Sequence, residues 1–238
     1  RDAQLKHKDL DVIVKSGAMK GEALVVDLKD NQRGLVWIDE RFHTVLKPGL
    51  YAFWTVFHDV RVEVVDAAQV RFEHEKLPVV LQGDGVRETL DVYTVEQGMA
   101  GLYFKDGEFK SLLKPGTHAF WKGVNRVRLH SVDLREQVSD IAAQEIMTAD
   151  KVTLRLNAMV TFRVADALKA VSEVDDFKQA LYREAQLSLR AVIGTRELDS
   201  LLAEKDAVAK ELEGLVKNRA TAFGLEVVGL GIRDIILP

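Results

Sequence analysis

Leu189-Arg190-Ala191-Val192-Ile193-Gly194 closes a helix and stops it on a glycine. Upstream, Phe177, Leu181, Ala185 and Val192 recur at spacings of four, four and seven, which is one face of a helix over residues 176–193. Asp175 or Asp176 suits its N-cap. Downstream, Glu197-Leu198-Asp199-Ser200-Leu201-Leu202 opens a second helix. Its buried stripe is expected at Leu198, Leu202, Ala209, Leu212 and Val216, with Asp206–Lys210 and Glu213–Lys217 paired on the wet side and Gly224 just past its end. Ahead of both helices, Val152, Leu154, Leu156, Ala158, Val160, Phe162 and Val164 alternate with Thr153, Arg155, Asn157, Thr161 and Arg163, Met159 being the exception. A period of two over that length marks a strand with one buried face. A strand before it around residues 143–147, a turn at Thr148-Ala149-Asp150, and an apolar strand over residues 225–237 complete an α/β subdomain.

The first half of the chain reads differently. Leu46-Lys47-Pro48-Gly49 recurs as Leu113-Lys114-Pro115-Gly116, a spacing of 67 residues (46 to 113). The same offset pairs Phe53-Trp54 with Phe120-Trp121, Asp39 with Asp106, Phe42 with Phe109, Val60-Arg61 with Val127-Arg128 and His7 with His74. A register that holds without a gap predicts two tandem copies, near residues 5–71 and 72–138. Each copy reads as short strands joined by turns, with Pro-Gly setting one turn and Asp106-Gly107 a hairpin. Residues 16–21 and 82–85 are expected to be exposed loops. The fold class is therefore α+β: a β-rich unit over 1–71, a second over 72–138, and the α/β subdomain over 139–238. The match of the chain's opening residues to His74 and Leu77 leads us to expect a still longer array.

Several stretches carry a family resemblance. They are Val132-Asp133-Leu134-Arg135-Glu136-Gln137-Val138, residues 144–152, the Leu-Arg-Ala-Val-Ile-Gly run, residues 197–202, and Ile232-Arg233-Asp234-Ile235 on to Pro238. In continuous order from about Val92 to Pro238 they resemble the band 7 or SPFH domain shared by stomatins, prohibitins and flotillins, and most of all its bacterial slipin branch. The resemblance implies that the second β unit is the first band 7 subdomain and that the first is an extra one placed in front. It further implies a hydrophobic membrane segment before the domain, helical sequence after it, and assembly into large homo-oligomers.

Composition narrows the chemistry. The 238 residues hold 47% hydrophobic side chains and a net charge of −4, with dispersed Lys and Arg that suggest no nucleic-acid partner. The absence of cysteine excludes disulfides, thiolate nucleophiles and Cys-ligated zinc. No apolar run approaches the ~20 residues of a membrane-spanning helix. There is no Gly-x-Ser-x-Gly and no phosphate-binding loop, and His7, His43, His58, His74, His118 and His130 lack metal-ligand spacing. We expect no enzyme activity, no cofactor and no metal.

Two surfaces remain as binding candidates. Tyr51, Phe53, Trp54, Phe57, Phe120 and Trp121 form aromatic clusters that are either the cores of the β units or an interfacial patch facing a membrane. Glu204, Lys210, Glu213 and Lys217 on the last helix are candidates for contacts in an oligomer. The expected function is a membrane-associated oligomeric scaffold of the slipin or stomatin type, at a bacterial plasma membrane on a side left open, with this stretch itself soluble. Its expected partners are itself, membrane lipid and, from the resemblance alone, an NfeD-type membrane protease. The alternative is a soluble adaptor whose tandem β units recognise a protein or peptide. Exposed charge pairs contribute only about 0–1 kcal/mol each, against the roughly 8 kcal/mol of micromolar association. Residues 1–238 alone should therefore be mainly monomeric by light scattering, and a stable ring formed by them would show that the globular parts drive assembly.

Overall fold

A computed structural model describes residues 3–237, apart from the side chains of Ala143 and Gln144; Pro238, the expected end of the last strand, lies outside the described residues. The chain begins with α1 (Leu10–Ser16), then runs through β1 (Ala23–Leu28), β2 (Gln32–Ile38), β3 (Arg41–Leu46), β4 (Gly49–Trp54) and β5 (Val60–Asp66). A short β6 (Arg71–Phe72) and the helical turns α2 (Leu77–Val80) and α3 (Val86–Thr89) lead into a second set of strands. These are β7 (Leu90–Val95), β8 (Met99–Lys105), β9 (Glu108–Leu113), β10 (Gly116–Trp121) and β11 (Val127–Asp133).

Each strand of the second set starts and ends 67 residues after its counterpart in the first (23 to 90, 66 to 133). The pairing register follows: Ala23 lies opposite Trp54 as Leu90 lies opposite Trp121, and Gln4 bridges Phe53 as Arg71 pairs with Phe120. So does the turn chemistry. Asp39 and Asp106 sit at positive φ, 50° and 53°, in the β2–β3 and β8–β9 turns. The Asp59 N–H donates to the Asp39 carboxylate at 2.9 Å, and the Arg126 N–H to Asp106 at 2.8 Å. The second carboxylate oxygen meets His58 Nδ1 at 2.8 Å in one turn and Asn125 Nδ2 at 2.6 Å in the other. These bonds, His58 first at Asp39 and the Arg126 N–H first at Asp106, hold both carboxyls below the usual range.

Each set forms two small sheets. In the first they are β1-β4 and β3-β2-β5; in the second, β6-β10-β7 and β11-β8-β9. Neighbouring side chains on a strand point to opposite faces. Val36, Leu46 and Val60 on one face of β3-β2-β5 pack with Leu28 and Phe53 of β1-β4. Leu35, Trp37 and Val45 on its other face pack with Phe72, Leu90, Ala119 and Trp121 of β6-β10-β7 and with Val80 and Val86. A layer buried on both sides explains why β2 reads as the near-continuous run Gly34-Leu35-Val36-Trp37-Ile38 rather than an alternation. Phe42 closes over Gly83 so tightly that a Cβ there would lie 2.2 Å from its ring.

The compact units of the chain cut across the boundaries expected at 71 and 138. One takes residues 1–95, 103–110 and 116–129, the other 96–102, 111–115 and 130–238. The shared core just described is the physical reason for the first. Of the expected loops, residues 17–21 and 82–85 lie outside helices and strands, and short helical segments that were not expected flank them. Leu10, Ile13 and Val14 have helical spacing, as do Leu77, Val80 and Leu81, and α1 extends to Ser16 while residues 82–85 remain the turn between α2 and α3.

In the second unit β12 (Gln137–Met147), β13 (Thr153–Val164), α4 (Ala167–Ser172), α5 (Phe177–Ile193), α6 (Leu198–Ala203), α7 (Lys205–Ala222) and β14 (Leu225–Ile236) follow in order. The three strands form one antiparallel sheet with β13 in the middle. The alternation of β13 is the burial pattern: Leu154, Leu156, Ala158, Val160, Phe162 and Val164 are inside and Met159 is exposed. Asp176 caps α5, accepting from the Lys178 and Gln179 N–H groups. Leu181, Ala185, Leu189 and Val192 are buried. The second helix departs from expectation. It breaks at Glu204, and before the break Leu201, seven residues ahead of Val208, is buried while Leu202 is exposed. Beyond it Val208, Leu212, Val216 and Ala220, four apart, form the buried stripe. Gly224 takes φ 75°, and a Cβ there would meet the Asp166 carbonyl at 2.4 Å.

Two outcomes follow from this packing. Leu189→Ala should cost about 2–5 kcal/mol, read as a lowered urea midpoint with unchanged slope; an unchanged midpoint would place α5 elsewhere. The second concerns Asp133. Arg135 donates to it from side chain and backbone and lowers its pKa from 3.8 to about 2. A depressed carboxyl contributes stability above its unfolded pKa and loses it as pH falls through the folded one. Asp133→Asn should therefore be less stable than the parent at neutral pH, with the gap in urea midpoint narrowing from about pH 4 to pH 2. A gap that does not change over that window would contradict the assignment.

Candidate functional site

The aromatic candidates do not share one surface. Phe53, Phe120 and Trp121 are buried, the first in the core between β1-β4 and β3-β2-β5, the last against Phe72 at 4.8 Å between centroids. Phe120 packs on Tyr103 and Tyr93. Their place is the core of the β layers, the first of the two alternatives, and these three do not form a membrane-facing patch. Tyr51 and Trp54 are half-buried, Tyr51 against the first core. Only Phe57 of the six is truly exposed, at 77%.

Phe57 stands at the tip of the loop over residues 55–59, next to Val56, which is also exposed. The base of that loop is fixed. Thr55 donates its N–H and its hydroxyl to the Glu22 carbonyl at 2.9 and 3.1 Å, and Asp39 holds His58 and the Asp59 N–H. The equivalent loop after β10 reads Lys122-Gly123-Val124-Asn125, where Gly123 replaces Val56 and Val124 packs against the core. The first set of strands thus carries an apolar tip on a rigid base that the second lacks. Sequence reasoning attended to the aromatic cluster and missed Val56. The 67-residue offset, which sets Val56 against Gly123, held the signal.

On α7 Lys210 and Lys217 are exposed and Glu213 is half-buried. Glu204, at the break before α7, pairs with Arg196 at 3.4 Å, and the same guanidinium reaches Glu211 at 2.5 Å. Glu204 is thus committed to an internal pair. The three others share the helix face but are not gathered into a pocket.

A cavity of about 800 Å³ opens beside Arg61, Glu63, Glu73, His74, Glu75 and Lys76. His74 stacks between Trp37 and Phe72, with centroids 6.0 and 5.9 Å away. Its Nε2 lies 3.3 Å from Glu63, and its Nδ1 accepts the Lys76 N–H at 3.0 Å. His7 accepts the Asp9 N–H in the same way at 3.1 Å. The imidazole therefore fixes a turn, with both ring nitrogens engaged, and no hydroxyl or thiol nucleophile lines the cavity. Lys76 sits 5.0 Å over the Trp37 ring. Such a cleft, lined by charges of both signs, can recognise charge. Among the described residues no group of His, Asp and Glu is arranged to hold a metal ion, and no helix is long and apolar enough to cross a membrane.

Comparison with known proteins agrees with the second half of this architecture. A stomatin homolog of Pyrococcus horikoshii is 41% identical over 107 residues, 45% of this chain and 40% of that protein. Human stomatin-like protein 3 is 36% identical over 107 residues, 45% of this chain and 37% of its own length. An uncharacterized protein of Methanocaldococcus jannaschii is 33% identical over 147 residues, 62% of this chain and 73% of that protein. The chain spans about two fifths of the stomatin relatives it matches. These relatives are archaeal and human, and they do not speak to a bacterial branch. The family is generally non-enzymatic. Residues 93–238, more than half of the sequence and beginning within β7, match the SPFH domain / Band 7 family, and the chain belongs to it.

Proposed function

We propose that this chain is part of a non-enzymatic, membrane-associated scaffold of the stomatin type, which assembles with copies of itself and organises a patch of membrane or regulates proteins there. The observation that carries this reading is the family match over β7 to β14 together with the stomatin relatives. In it, residues 1–71 form an extra β-rich unit in front of the family domain, whose two parts are 72–138 and 139–238. The partners are other copies of the chain, lipid and a membrane protein under its control, an NfeD-type protease being the one that the resemblance suggests. The exposed faces of α7 are the proposed lateral contacts, and the Val56–Phe57 tip is the proposed point of contact with lipid.

A soluble peptide-binding adaptor is the second reading, favoured by the charged cleft beside His74 and Lys76. Vesicle co-sedimentation separates the two. Burying one Phe side chain is worth about 1.5–3 kcal/mol, so Phe57→Ser should weaken binding of the chain to anionic phospholipid vesicles by about tenfold or more. Circular dichroism should be unchanged, since Phe57 supports no core. Equal binding by parent and variant would remove the tip from the account, and a full-length protein that does not co-sediment with vesicles would favour the adaptor.

A further inference from the structure

The correspondence between the two sets of strands isolates one difference: what covers the outer face of the first sheet. In the second set, Phe72, Leu90, Ala119 and Trp121, with Val80 and Val86, lie under Leu35, Trp37 and Val45 and are all buried. Sixty-seven residues earlier (72 to 5, 121 to 54) the same positions are Leu5, Ala23, Ala52, Trp54, Ile13 and Met19. Leu5, Ile13, Ala23 and Trp54 are only half-buried there, Ala52 and Met19 are buried, and α1 has no buried residue. Val14, Met19, Ala23 and Val25 line an open cavity of about 420 Å³. The matching hollow in the second set is filled by β3: Phe42 stands over Gly83, and Thr44 bridges to Asp84 and donates its hydroxyl to the Asp84 carbonyl at 3.0 Å.

We propose that this face seats a further three-stranded sheet of the β3-β2-β5 kind, carried on the same polypeptide immediately ahead of Ala3. Two observations select that occupant over a second copy of the chain. First, the approach is already built. The Trp54 N–H donates to the Ala3 carbonyl at 2.8 Å, as the Trp121 N–H donates to Val70 at 2.8 Å. In the second set the residues making this contact run directly on from β5 through the buried Ala67. By the 67-residue offset, a further unit of this kind would reach Ala3 as β5 reaches Val70. Second, another copy has no such layer to offer, because Leu35 and its counterpart Leu102 are both already fully buried. One detail constrains the covering layer. Ser16 occupies the position of Gly83, so the residue in the place of Phe42 has to be smaller than phenylalanine. The inference is independent of any action at a membrane.

The chain has no cysteine, so Ala23→Cys places a single thiol on this face. Its rate of alkylation by a maleimide is compared in the 238-residue chain and in two extended chains, in which residues 1–71 are followed directly by 5–238. The thiol is carried only by the second occurrence of residue 23. One extended chain bears Ser16→Gly in that same occurrence; the other keeps Ser16 and bears Phe42→Ala in the added unit. Alkylation should be at least about tenfold slower in one or both extended chains, as a side chain reached only by local opening is protected. A thiol equally reactive in all three chains overturns the proposal. So does a thiol in the 238-residue chain that becomes protected as protein concentration rises, with dimers in sedimentation, because the occupant would then be a second copy.

Discussion

Leu35 and Val36 are neighbours on one strand, point to opposite sides of it, and are both completely buried. That can be satisfied only if β3-β2-β5 has a packed layer on each face. Much of the first unit follows from it. On one side the layer is β1-β4, and on the other it is β6-β10-β7, which comes later in the chain and is tied to the middle sheet by Trp37, Trp121 and Phe72. Small β sheets of two or three strands bury too little apolar surface to be stable alone. Sharing one sheet between two interfaces supplies burial without lengthening any strand. Neither set of strands is then an independent domain, which is why the compact units divide the chain elsewhere than the 67-residue period does.

The two sets also show which parts of the pattern are fixed by physics. The carboxylate at Asp39 and Asp106 recurs in both turns, where it sits at positive φ and accepts the backbone N–H of Asp59 or Arg126. The partner of its other oxygen is free to differ, and His58 and Asn125 serve equally as donors. Departures mark places where the surroundings differ. Val56 becomes Gly123 in a loop tip, and Ser16 becomes Gly83 where Phe42 presses on the backbone.

Most of the elements were legible in the sequence, because strand alternation, turn residues and helical spacing are local. β13 was read from its period of two, α5 from Phe177, Leu181, Ala185 and Val192, and the strands of both sets from recurring turn motifs. What could not be read is what lies opposite a face. Phe53 and Trp121 have the composition of an interfacial belt, and only the layering shows them to be core. On the last helices the buried residue is Leu201 rather than Leu202; it lies seven before Val208, in phase with Leu212 and Val216, so the choice between the two adjacent leucines is settled by packing and not by the break at Glu204. The helical turns α1 to α3 were hidden by their shortness and by the glycines around them. At the candidate site, the single exposed aromatic, Phe57, was among the six named, and its neighbour Val56 was not.

Band 7 membership and the stomatin relatives point to a scaffold family, and the β layers join strands ahead of the matched residues to strands within them. Layers joined in this way open together rather than one by one. Native-state hydrogen exchange of the full chain measures this directly. If β3-β2-β5 is shared as described, the amides of β2 and β10 should exchange only through one common opening, with the same free energy and the same denaturant dependence. If β2 lost protection together with β1 and β4 while β10 and β7 kept theirs, the two sets would be separate domains and the shared layer would be contradicted.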